Sequence, residues 1–183
     1  MLGMRFIKSQ PTTHLMQFRK GKVVREGAGQ SFFYYGPTST VVAVPVGSQD
    51  RPFILELVTV DFQSITVQGQ VTFRVTDPRR IASLMDFSLA PDGRGFTSED
   101  PQRLGERVAM QAEVIVRQTV QQMDLKQALR SSASIAQDCQ QRLASQAEVM
   151  ALGLEVLGVS VLAIKPAPDM ARALEAEARE SNL

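Results

Sequence analysis

The chain has 183 residues, 44% of them hydrophobic and 21% charged, with a formal net charge of +1. That composition supports one buried core with an appended element, excludes wholesale disorder, and leaves too little chain for two full domains. One cysteine, Cys139, and one histidine, His14, exclude an internal disulfide and the usual Cys/His zinc set, so neither metal nor cofactor is expected.

The first fifteen residues, MLGMRFIKSQPTTHL, lack the apolar core of a signal peptide, and Leu2 replaces the glycine that N-myristoylation needs. No stretch approaches the ~20 apolar residues of a spanning helix. The expected location is therefore cytoplasmic, with peripheral attachment to a membrane as the closest association. Residues 1–30 carry six basic residues against Glu26 alone, whereas residues 31–183 carry fourteen against eighteen acids. A basic front suits an anionic surface, lipid or nucleic acid.

His14 to Arg19 (HLMQFR), Lys20-Gly21-Lys22 and Val23-Val24-Arg25 read as strand, tight turn and returning strand. SFFYY at 31–35 and TVVAVPV at 40–46 give two more strands, separated by the Gly36-Pro37 turn. Residues 53–60 form an apolar run. From Ile65 to Val75 apolar residues alternate with Thr, Gln and Arg, the pattern of a half-buried strand that Asp77-Pro78 ends. A short helix over 79–87 and a Gly/Pro/Asp loop over 90–100 follow.

Ser98 and Pro101 open a long helix whose apolar stripe is Leu104, Val108, Ala112, Ile115, Thr119 and Met123. A second helix carries Ile135, Cys139, Leu143, Ala147 and Met150 and stops at Gly153. LEVLGVSVLAI at 154–164 is a late strand, and Asp169 to Glu180 begins a last helix rich in Ala and Glu. The fold class is α+β: an N-terminal antiparallel β-meander, amphipathic helices packed on the sheet, and a C-terminal helix.

Chemistry-bearing constellations are absent from the pattern. Gly27-x-Gly29 and Gly93-x-Gly95 lack the third glycine and the strand-to-helix context of a phosphate loop. His14 has no cysteine or carboxylate within ten residues, Cys139 sits on an apolar stripe, and Ser131, Ser132 and Ser134 read as linker and cap. No catalytic residue is assigned, and the expected role is not enzymatic.

Three segments in this order, TVQGQVTFRVTDPRRI at 66–81, GLEVLGVSVLAIKP at 153–166 and MARALEAEARE at 170–180, together with the hairpin, resemble the stomatin/prohibitin/flotillin superfamily, the SPFH or band 7 domain. The resemblance covers about 13 to 180. It implies a band 7-like domain over 1–166 and the start of a coiled-coil helix over 167–183. It also implies a scaffold that forms homo-oligomers in a longer parent and works with a membrane or a membrane protease.

Two groups of residues follow as candidates. Arg19, Lys20, Lys22 and Arg25 surround the hairpin turn and suit an anionic surface. Met170, Ala171, Leu174 and Ala178 form a short apolar seam for oligomer contact. The alternative is a soluble interaction module, with the same basic residues binding nucleic acid and Phe18, Phe32, Phe33, Tyr34 and Tyr35 as a stacking surface.

Overall fold

Eight strands and six helices account for most of residues 2–183, which the computed structural model describes. In chain order they are β1 (Met4–Lys8), β2 (Thr13–Arg19), β3 (Lys22–Ala28), β4 (Ser31–Tyr35), β5 (Ser39–Pro45), β6 (Gln49–Val58) and β7 (Ser64–Val75). Next come α1 (Pro78–Leu84), α2 (Asp100–Val120), α3 (Leu125–Arg130), α4 (Ser132–Ala144), α5 (Ala147–Ala151), β8 (Leu154–Pro166) and α6 (Pro168–Ser181). The chain is α+β, with every paired strand of its first third antiparallel. Its contacts divide it into two units, one formed by residues 1–49, 73–106 and 147–155, the other by residues 50–72, 107–146 and 156–183.

In the first unit, β2 and β3 form the hairpin expected from HLMQFR-KGK-VVR. Lys20 and Gly21 both have positive φ, 52° and 75°, the geometry of a two-residue turn whose twist matches the strands. The other strands do not pair in sequence order. Their arrangement is β3-β2-β5 and, separately, β1-β4, so a meander describes only the hairpin. The physical reason lies in the apolar faces. Val41 and Ala43 of β5 face the same cluster as Leu15 of β2, which packs on Phe32 and Tyr34 of β4 and on Ile7 of β1. Val42 and Val44 are buried as well, so placing β5 beside β2 covers both of its faces.

Also in this unit, two of the sequence segments named above meet. Asp77 caps α1 by accepting from the Arg80 amide at 3.1 Å, with Pro78 at the first helical position. The amides of Thr76 and Asp77 both donate to the Gly153 carbonyl, at 2.8 and 3.2 Å. Arg74 Nε donates to Glu155 Oε2 at 2.8 Å, and Arg80 Nε donates to the Ala151 carbonyl. The TDPRR motif is thus a structural clasp on the Gly-Leu-Glu segment.

The second unit holds most of the sheet β6-β7-β8. Phe53, Leu55 and Leu57 of β6 and Ile65, Val67 and Val71 of β7 are buried, as alternation requires. On α2, Val108, Ala112, Ile115, Val116 and Val120 are buried; on α4, Ile135, Cys139 and Leu143. Thr119 Oγ1 donates to Asp138 Oδ2 at 2.6 Å and joins the two helices.

The expected helix carrying Ile135 to Met150 is two, α4 and α5, with the short α3 before it. The junction at Ser131 is the linker and cap expected there, and the helix that follows breaks at Ser145-Gln146. That break shifts the helical phase, so Val149 is buried while Met150, expected on the stripe, is 62% exposed and Ala147 is exposed too.

Candidate functional site

The hairpin turn places Arg19, Lys20 and Lys22 in solvent, and none of the three side chains has an ion-pair or hydrogen-bond partner among the described residues. Arg25 is exposed as well but differently employed. The β2–β3 register shifts between Gln17 and Phe18, which leaves Val24 unpaired and sets Arg25 opposite Gln17. Its guanidinium then lies 4.7 Å from the centroid of the Phe32 ring, a cation–π contact. Three of the four basic residues are therefore free charges at one turn, and the fourth is held on the sheet.

His14 does have a carboxylate partner, contrary to its isolation in sequence. Across the hairpin, His14 Nε2 lies 3.2 Å from Glu26 Oε2. Arg79 of α1 grips the same carboxylate, with Nε at 2.9 and 3.0 Å from its two oxygens and a further bond from the terminal nitrogen. Hydrogen bonding from Arg79, with a smaller part from His14, holds the Glu26 carboxyl below its ordinary value of 4.5 despite partial burial. The trio straps the hairpin to α1.

Cys139 is sealed in the second unit. Its thiol faces the Ala112 carbonyl at 3.7 Å, and burial pushes its pKa up to about 11. A thiol so placed is a packed side chain, as its stripe position implied. Among the described residues no cluster of three or more His, Cys, Asp or Glu side chains could hold a metal ion. Nor is any described helix long and apolar enough to cross a membrane.

The four seam residues of α6 do not share one environment. Met170, Ala171 and Leu174 are half-buried, and Ala178 is exposed. Met170 and Leu174 border a groove with Leu125 and Lys126 of α3, and Lys126 Nζ bonds Glu177 Oε1 at 3.0 Å. Half of the stripe is thus partly covered by the chain's own α3.

Sequence reasoning missed a surface made by β1 and β4. Their register sets Met4 opposite Tyr35 and Phe6 opposite Phe33. Phe32 and Tyr34 turn inward, while Phe6 and Phe33 are 56% and 65% exposed with ring centroids 4.8 Å apart. Met4 and Tyr35 extend this outward row, and Leu2 beside it is fully exposed. The alternation inside SFFYY was a usable signal.

The model of the SPFH domain / Band 7 family matches residues 7–182. Comparison with curated proteins gives no match.

Proposed function

We propose that this chain, which belongs to the SPFH domain / Band 7 family, is a non-enzymatic oligomerising scaffold that organises protein assemblies at or near an anionic membrane surface. The observation that carries the surface part is the exposed row Met4, Phe6, Phe33 and Tyr35 in the same unit as the uncompensated Arg19, Lys20 and Lys22. Aromatic rings settle at the level of lipid headgroups, and each basic side chain near an anionic leaflet adds about 1 kcal/mol. An exposed apolar row that the chain leaves uncovered is also a common mark of an interaction surface.

The assembly part rests on α6, whose Ala178 is exposed and whose partners would be further copies of the chain or a membrane-bound protein such as a protease. The nucleic-acid reading has less support. Of its five aromatic residues Phe32 and Tyr34 are buried and Phe18 half-buried, so the expected stacking platform is reduced to Phe33 and Tyr35.

The test is co-sedimentation with phosphatidylcholine vesicles, with and without phosphatidylglycerol, at low salt. Wild type should bind the anionic vesicles only. The Lys20→Glu/Lys22→Glu pair should weaken binding by at least tenfold, since about 1 kcal/mol per charge is lost and then reversed in sign. A wild type that ignores anionic vesicles at low salt would overturn the membrane-surface reading.

A further inference from the structure

Within the first unit a cavity of about 460 Å³ opens beside the aromatic row, on the other face of the β1-β4 sheet. Its lining combines two characters. Val41, Leu89, Pro37 and Pro91 are apolar, whereas Arg5, Tyr34, Ser39 and Thr40 bring hydrogen-bond donors, and no acidic side chain borders it. Arg5 and Tyr34 are cross-strand neighbours in the β1–β4 register.

These donors are unspent. Arg5 has no ion-pair or hydrogen-bond partner among the described residues, which leaves five N–H groups of a permanent cation free. Tyr34 is only 7% exposed, yet its hydroxyl has no partner among those residues either. That hydroxyl is not sealed in, because the enclosed unpartnered side-chain oxygens are those of Gln17 and Gln146. Ser39 Oγ accepts from the buried Gln17 Nε2 at 3.2 Å, so its own proton remains to be given. A nearly buried phenol normally finds a partner. The Tyr34 hydroxyl can therefore give its proton to an acceptor that enters the cavity.

We propose that this cavity binds an amphiphilic oxyanion, a phosphate or carboxylate group carried on a short apolar chain, with Arg5 as the charge partner, Tyr34 and Ser39 as neutral donors, and Val41 and Leu89 against the chain. The chemistry follows from complementarity. A ligand that only accepts matches a ring of donors without acids, and a guanidinium fork takes two oxygens of one anion. The mostly apolar remainder excludes a bare anion as the best fit, and the volume lies within the range of small-ligand sites. The same headgroup chemistry could arrive free in solution or in a bilayer. This site stands apart from the scaffold reading and does not depend on it.

The probe is decyl phosphate, titrated below its micelle concentration into the full chain and followed by calorimetry and by the ring signals of Tyr34. Wild type should show saturable binding at one site. Inorganic phosphate and decanol, each offering half of the complementarity, should bind at least about tenfold more weakly. Arg5→Gln should lose about tenfold or more, and Tyr34→Phe, which keeps the ring in the core, about three- to tenfold. Circular dichroism confirms that both variants fold, and Tyr34→Phe alone decides the matter if Arg5→Gln does not.

Vesicles containing phosphatidic acid separate the two sources. Weaker vesicle binding by Arg5→Gln than by wild type assigns the headgroup to a bilayer lipid. Equal vesicle binding, with decyl phosphate still discriminating, assigns it to a soluble amphiphile. Absence of saturable decyl phosphate binding, or equal affinity in wild type and Tyr34→Phe, overturns the proposal.

Discussion

Gly153 stands so close to Asp77 that a β-carbon added to it would lie 2.9 Å from the Asp77 β-carbon and 3.2 Å from its carbonyl oxygen. Its φ of +72° is the left-handed conformation that side chains rarely adopt. Both conditions are needed for the Gly153 carbonyl to receive the amides of Thr76 and Asp77.

Gly153→Ala should therefore destabilise the fold by about 2–4 kcal/mol, the sum of a left-handed backbone and a contact that backbone on the Asp77 side cannot yield. The measurement is the denaturant midpoint by circular dichroism. A change below about 1 kcal/mol would show that the clasp relaxes freely.

The Glu26 strap makes a pH prediction with a definite sign. Because bonding to Arg79 lowers the Glu26 carboxyl in the folded state, its contribution is complete above the ordinary value of 4.5 and is lost as pH falls through the lower folded value. Wild type should lose stability on acidification across that window, and Glu26→Gln should lose less while being less stable at pH 7. Parallel stability–pH curves for the two would show that the strap carries no linkage.

Cys139 should resist a thiol reagent at pH 8 in the native state and react stoichiometrically in denaturant, because a thiol pushed to about 11 and buried offers almost no thiolate. Cys139→Ser should cost about 1–3 kcal/mol, as a hydroxyl in that setting loses water and gains at best the Ala112 carbonyl. Reaction in the native state at a rate near that of a free thiol would place Cys139 in an opening segment.

Light scattering tests α6. Two heptads are fewer than the ~3–4 that make a persuasive coiled coil, so the 183-residue chain at micromolar concentration should be a monomer or a weak small oligomer. Leu174→Glu should lower stability through its half-buried side chain, whereas Ala178→Glu, at an exposed position of the same face, should change stability little and abolish any self-association. A large ring that survives Ala178→Glu would move the assembly surface away from α6.

How legible the molecule was depends on the range of the interaction concerned. β7 was plain, because Ile65 to Val75 alternates without interruption and its burial follows suit. The hairpin was plain because Lys20-Gly21 is local. Strand order was not, since nothing in SFFYY says that its partner is Met4–Lys8 rather than Lys22–Ala28. His14 looked solitary because Glu26 is twelve residues away along the chain yet across one hairpin, and Arg79 lies farther still. Ser145-Gln146 broke a stripe that spacing alone carried on to Met150. The Arg5 cavity was invisible for the same reason: its residues come from β1, β4, β5 and the segment after α1.

The first unit takes its residues from three stretches of chain, the last ending at Glu155. On a ribosome the amides of Thr76 and Asp77 emerge long before the carbonyl of Gly153 exists, an interval on the order of ten seconds at ordinary elongation rates. The hairpin and β1-β4 can form early, but the clasp closes only once Gly153 has been made. No single cut in the gene separates the two units into fragments that each carry a whole one, so the shortest polypeptide that completes the first unit already contains most of the second.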